Sequence, residues 1–154
     1  MNQGRINPLP LILAAVPAGR IVAHVMASYP REACGFLVGF DSPTQRTVTD
    51  AVGSENVWEN PSEHGYRFAI SSAQQLQLER SLAGTGKSLI GFYHSHPDHS
   101  AHPSDFDREA AWAFYSYLIL RVNNGQVQEI RSWVIDDSQQ QFVEQTVQPL
   151  SSVL

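Results

Sequence analysis

Apolar residues recur in short runs along the chain, separated by turn-forming stretches, and the periods of these runs predict interleaved strands and helices. Residues 9–15 read as a first strand. After Pro17, Ile21, Val25 and Tyr29 recur at four-residue steps, the spacing of one apolar helix face, and Pro30 must end that helix because proline has no amide to donate. Residues 34–40 form a buried strand and residues 47–52 a second one, followed by a long loop over 53–65 and a short strand over 66–70. A loop of that length is a candidate for mobility or binding. Ser71 or Ser72 can cap a helix that runs through Leu76, Leu78 and Leu82 and stops at Gly84. Residues 88–96 then make a strand rich in apolar and aromatic side chains.

Ser104 opens a third helix with Phe106, Ala110, Ala113 and Phe114 on one face. Residues 115–122 and 127–135 pair as a hairpin across Asn123-Asn124-Gly125, a favoured tight-turn sequence. Strands and helices alternate without strict βαβ order, so the expected class is α/β (α+β) with a central mixed sheet flanked by helices. No repeat or linker divides the chain, and 154 residues suit one domain over 1–154 that buries roughly 70% of the surface its unfolded form exposes.

Charge and composition narrow the partners. Ten basic against 15 acidic side chains leave a net charge of −5 with no basic run, which argues against a grip on nucleic acid. Cys34 is the only cysteine, so no intramolecular disulfide can form and the cytoplasm is the expected compartment. The apolar run over 9–18 is too short to span a bilayer and is interrupted by Pro10 and Pro17, so no membrane anchorage or secretion signal is read from it.

Gly84-Thr85-Gly86-Lys87-Ser88 looks like the end of a phosphate-binding loop, but Ser81 stands where the first glycine is required. Its context is also inverted, because a helix ends there and a strand begins, leaving no helical N–H groups for a phosphate. The segment reads as a helix stop and turn.

Four of the six histidines, His94, His96, His99 and His102, lie within nine residues. His94 and His96 sit two apart at a strand end, where the period of two points both imidazoles to one face. Pro97 stops the strand, and Asp107, in the first turn of the helix opened by Ser104, can swing a carboxylate oxygen back to the same point. Two imidazoles and one carboxylate leave a fourth position for water, the pattern of a catalytic rather than a structural zinc. Taken singly, Ser104 and Asp107 are a helix capping box and a His-x-His at a strand end is a pair of imidazoles facing water; their combination at this spacing favours the metal. Asp105 competes with Asp107 but points to another side of the helix. Asp98, His99 and His102 are expected as flexible loop residues bordering the site, and His24 and His64 as structural or solvated.

This string resembles the JAMM motif of the MPN+ metallopeptidases: His94-Ser95-His96-Pro97, six residues, then Ser104 and Asp107. The upstream glutamate of that family is matched by Glu32 in Pro30-Arg31-Glu32-Ala33-Cys34-Gly35. Asn56, Pro61 and Arg67-Phe68-Ala69-Ile70 extend the likeness to the small bacterial members. The resemblance implies a cytidine-deaminase-like sheet between helices and one Zn2+ held by His94, His96 and Asp107. It also implies Glu32 as general base on a water whose pKa the metal lowers to about 7, and Ser104 as a donor to the oxyanion, worth roughly 3 kcal/mol. Capping the helix and serving the oxyanion are expected to compete for Ser104. Cys34 is expected to be a buried packing group.

The implied partner is a ubiquitin-fold sulfur-carrier protein with a Gly-Gly tail, whose missing side chains let it thread close to the zinc between walls formed by residues 53–65 and 98–103. Two other branches of the family remain as alternatives: an inactive MPN binding scaffold, against which the complete motif argues, and a RadC-like DNA-repair protein, against which Ser95, the absence of Ser-Gly after Pro97 and the negative charge argue.

Overall fold

The computed structural model describes residues 6–138 and 140–149. In chain order the elements are β1 (Leu11–Leu13), α1 (Ala15–Ser28), β2 (Cys34–Asp41), β3 (Arg46–Ser54), a 3-10 turn (Pro61–Glu63), α2 (Ser72–Leu82), β4 (Ser88–Pro97), α3 (Asp105–Glu109), β5 (Ser116–Asn123), β6 (Gln126–Asp136), β7 (Gln141–Gln145) and β8 (Val147–Pro149). The strands form one sheet in the order β7-β6-β5-β4-β2-β3-β1-β8. Parallel pairs (β1 with β3 and β8, β4 with β5) mix with antiparallel ones (β2 with β3 and β4, β6 with β5 and β7), so the sheet is mixed and the expected α/β class holds.

Alternation along the central strands divides the core. On one face Leu37, Tyr93, Leu118 and Leu120 are buried under Ile21 and Val25 of α1. Gly35 lies opposite Tyr93 in the β2–β4 register, and a Cβ there would collide with the phenol ring. With that room, Tyr93 is buried among apolar neighbours and its hydroxyl meets Nδ1 of His24 at 2.6 Å. The other face carries Phe36, Phe92, His94 and Ile119, with Phe92 in tilted and stacked contact with Phe36 and Tyr117. The histidines of β4 therefore project away from α1, on the side of α2 and α3.

Several expected elements form for the expected reasons. Ser71 caps α2, its hydroxyl oxygen accepting from the Gln74 amide at 3.2 Å, and Gly84 and Gly86 take positive φ where the chain turns into β4. Asn124 and Gly125 also have positive φ, as a two-residue hairpin turn between right-twisted strands requires. Other elements differ. Helix α1 begins at Ala15, before Pro17, which is tolerated in the first turn because its missing amide would have had no intrahelical partner. Residues 66–70 form no strand, only a single bridge from Ile70 to Asn56. Helix α3 ends at Glu109, well short of Phe114, because the chain must drop back to start β5 beside β4; Arg46 Nη1 draws it there by donating to the Phe114 carbonyl at 2.9 Å.

Candidate metal centre and active site

Three donor atoms converge where β4 ends. His94 Nε2 and His96 Nε2 lie 3.1 Å apart, and each is 3.2 Å from an oxygen of the Asp107 carboxylate, Oδ1 for His94 and Oδ2 for His96. All three residues are buried. Four ligands at 2.0–2.1 Å in a tetrahedron would be about 3.3 Å apart, so each of these imidazole–imidazole and imidazole–carboxylate separations has the size that neighbouring ligands of one zinc ion need. The tautomer also suits: His96 Nδ1 is 2.7 Å from the Ser100 carbonyl, which can only accept, so a hydrogen sits on Nδ1 and, in the neutral ring that a metal ligand must be, Nε2 carries the inward lone pair; without a metal, a proton on Nε2 takes that place and reaches Asp107. Phe68 lies over His94 with ring centres 4.4 Å apart and fixes the plane of that imidazole.

Asp107 serves two purposes at once. Its Oδ2 accepts from the Ser104 amide at 2.8 Å while the Ser104 hydroxyl oxygen accepts from the Asp107 amide at 3.1 Å, a reciprocal capping box that also aims the carboxylate at the histidines. The expected competition for Ser104 does not arise: the cap occupies a lone pair of the hydroxyl and leaves its O–H free to donate. Asp105 has an exposed side chain paired with Arg108 at 3.3 Å and stands outside the triangle.

Glu32 precedes β2, where the register that sets Cys34 opposite His94 carries Glu32 alongside His96. Three segments clamp its backbone. The Glu32 amide donates to the His64 carbonyl at 2.6 Å, the Glu32 carbonyl accepts from Asn56 Nδ2 at 3.3 Å, and the next amide, Ala33, donates to the buried Ser95 hydroxyl at 2.9 Å. Asn56 uses its whole amide here, since Nδ2 also donates to the Arg67 carbonyl and Oδ1 accepts from the amides of Trp58 and Ala69. Nothing in a pattern of periods points to Asn56 or Ser95 as braces, because each acts through a partner distant in sequence.

Burial dominates the electrostatics of Glu32 and pushes its carboxyl up to about 8; the neighbouring Asp107 adds to this, and the charges of His96 and Arg67 oppose it. Burial works on Asp107 in the same direction, yet the charge of His94 and hydrogen bonds from His94, His96 and the Ser104 amide outweigh it and hold that carboxyl far below the usual range. Two carboxylates in one site are thus driven apart, one kept neutral without a cation and one kept ionised. Cys34 points elsewhere: its thiol is buried against the carbonyls of Ser54, Glu55 and Ala69 and is pushed up to about 12, chiefly by burial.

The remaining histidines separate by contact. His24 and His64 are structural, bonded to the Tyr93 hydroxyl and, at 2.9 Å, to the Trp58 carbonyl. The segment over 98–103 is not a loose loop. Asp98 accepts from Tyr29 at 2.7 Å and from the Asn124 amide at 2.9 Å, while Ala101 is held by Glu129 and by the Trp133 indole, each at 3.0 Å. Beside His94 and Asp107 opens an apolar cavity of about 330 Å³, lined by Trp58, Phe68, Ile70, Phe92, Phe106 and Trp112. Its wall takes only Trp58 from residues 53–65, and no residue of 98–103, because the latter are pinned to the β5–β6 hairpin instead.

Sheet, helices and paired histidines define a JAB-type domain, and comparison with known proteins agrees. Residues 16–136 match the Prok-JAB family model, described as prokaryotic homologs of the JAB domain, and the chain belongs to that family. It is accordingly a hydrolase of the JAMM/MPN+ group that the motif resembled. Among its relatives, the desampylase of Haloferax volcanii is 36% identical over 114 residues, covering 71% of this chain and 78% of the relative. The CysO-cysteine peptidase of Mycobacterium tuberculosis is 27% identical over 131 residues, covering 82% and 84%. A solution structure from Desulfitobacterium hafniense superposes with a TM-score of 0.76 at 25% identity over 90% of this chain and 92% of that one. Another, from Salinibacter ruber, gives 0.67 at 25% identity over 91% and 92%. Among the described residues no helix is long and apolar enough to cross a membrane.

Proposed function

We propose that the chain is a zinc-dependent peptidase that cuts the peptide or isopeptide bond following the C-terminal Gly-Gly of a ubiquitin-fold sulfur carrier in the cytoplasm. The observation that carries this reading is the buried triangle of His94, His96 and Asp107 donors with the Glu32 carboxyl beside it. The names of the relatives, a desampylase and a CysO-cysteine peptidase, support the carrier as substrate class.

His94 Nε2, His96 Nε2 and one Asp107 oxygen would hold the ion. When bound, zinc supplies a Lewis acid that polarises the scissile carbonyl and lowers the pKa of water to about 7. Glu32 takes a proton from the attacking water on a carboxylate oxygen as the new C–O bond forms. The C–N bond then breaks as Glu32 passes that proton to the departing amine; the proton left on the new carboxyl follows, leaving a carrier carboxylate and an ammonium group. Ser104 directs its free O–H to the oxyanion. The backbone clamp on Glu32 keeps the carboxylate in place through both transfers, as positional catalysis requires. A glycine tail, without side chains, can enter the cavity that His94 lines together with the aromatic side chains.

The test is incubation of the zinc-loaded protein with a ubiquitin-fold carrier extended beyond Gly-Gly, with products read by mass spectrometry. Cleavage directly after the second glycine, lost in Glu32→Gln, supports the reading; an intact carrier alongside cleavage of an unrelated peptide overturns the substrate.

A further inference from the structure

His99 stands beside the metal triangle without belonging to it. Its ring lies flat on that of His96, with centres 4.1 Å apart and planes 20° from parallel. Its Nδ1 is 3.0 Å from the Pro97 carbonyl, so the hydrogen is on Nδ1 and Nε2 offers a lone pair. Glu32, His96 and His99 form a second group whose donor atoms all lie within 4.8 Å of one another, sharing only His96 with the triangle. His96 has a single lone pair to give, because its Nδ1 is engaged with Ser100. Once His96 serves the triangle, the donors left in the second group are the Glu32 carboxylate and His99 Nε2.

We propose that this pair is a second, weaker zinc site, filled when zinc exceeds one equivalent, and that its occupation stops hydrolysis. The binding stands on geometry alone; the inhibition rests on the reading of Glu32 as base. Carboxylate oxygen and imidazole nitrogen are both ordinary zinc ligands, and two of them with water make a site weaker than one with three protein ligands. Both ligands are held in advance. The backbone at Glu32 is fixed by His64, Asn56 and, through Ala33, by Ser95; the segment bearing His99 is fixed on either side by Asp98 and Ala101. His99 is exposed, which gives an ion a direct path from solvent. An ion on Glu32 neutralises the negative charge that must draw the proton from water and so strips the carboxylate of its basicity, which sets base and second ion against each other.

The experiment titrates zinc into protein already carrying one equivalent, with bound metal measured by elemental analysis after equilibrium dialysis. The wild type takes up a second, weaker equivalent. His99→Ala weakens that second equivalent by more than about tenfold, the loss that even a hydrogen-bond partner of a metal ligand can cause, and keeps the first. Glu32→Gln behaves likewise. The carrier-cleavage rate at large excess, divided by that at one equivalent, falls well below one for the wild type and stays near one for His99→Ala. Uptake that stops at one equivalent in the wild type, or a second equivalent undiminished in His99→Ala, overturns this site and leaves the triangle untouched. A wild type that retains no first equivalent overturns the triangle, and this inference with it.

Discussion

Ser104 and Asp107 exchange two hydrogen bonds, at 3.1 and 2.8 Å, so the group that closes the N-terminus of α3 is also the carboxylate facing His94 and His96. The serine enters this exchange through its oxygen lone pair and its backbone amide, leaving the hydroxyl hydrogen uncommitted. Ser104→Ala should therefore cost about 1 kcal/mol of stability through the lost cap. In the same variant, loss of the oxyanion donor should lower kcat by roughly 10²–10³. Zinc content stays at the wild-type level, because the backbone amide still holds Asp107. Thermal melts, kinetics and metal analysis on one preparation separate the three effects.

The stack of Phe68 on His94 predicts a metal phenotype from a residue that offers no ligand atom. Phe68→Ala frees the imidazole to turn and should weaken zinc binding by about tenfold, in line with other groups that orient metal ligands. Phe68→Leu, which keeps apolar bulk against the ring, should recover most of it. Competition with a chromogenic chelator gives both affinities.

Ser95 lies between the two histidines, fully buried, and accepts the Ala33 amide. Removing its hydroxyl strands a buried N–H next to Glu32, so Ser95→Ala should destabilise the fold by about 1–3 kcal/mol. Urea denaturation of the chelated proteins measures this without interference from metal binding.

The carboxyl of Glu32 ties stability to pH in the metal-free protein. Its pKa is 4.5 ordinarily and about 8 when folded, so the folded state binds a proton that the unfolded state releases. The resulting stabilisation is complete below pH 4.5 and is lost as pH rises through 8. Glutamine imitates the neutral carboxyl, so Glu32→Gln should gain on the wild type by a few kcal/mol, on the order of 3, between acid and mildly alkaline pH. Melting temperatures in chelator across that range test it; parallel curves for the two proteins would contradict it.

The chemistry was legible in the sequence to the extent that it was local. His94 and His96 are spaced by the period of a strand, and Ser104 and Asp107 by one helical turn, so a short stretch specifies both geometry and ligand type. The hairpin through Asn124 and Gly125 was legible for the same reason. What remained hidden depends on distant partners. Residues 66–70 alternate like a strand, yet the Asn56 side chain takes the Arg67 carbonyl and the Ala69 amide that a neighbouring strand would have used. The apolar stripe from Phe106 to Phe114 suggests a longer helix, but Arg46, far earlier in the chain, binds the Phe114 carbonyl and leaves Trp112 and Phe114 largely exposed. Strands β7 and β8 escape periodic analysis because both are short and mostly polar edge strands, placed by pairing with β6 and β1.

The central claim is that His94, His96 and Asp107 share one zinc ion. Anomalous diffraction at the zinc edge, from crystals of protein loaded with a single equivalent, tests it most directly. The account predicts one strong peak within about 2.0–2.2 Å of His94 Nε2, His96 Nε2 and an Asp107 oxygen, with Glu32 nearby and uncoordinated. A peak bound elsewhere on the chain, or none at the triangle, would contradict it.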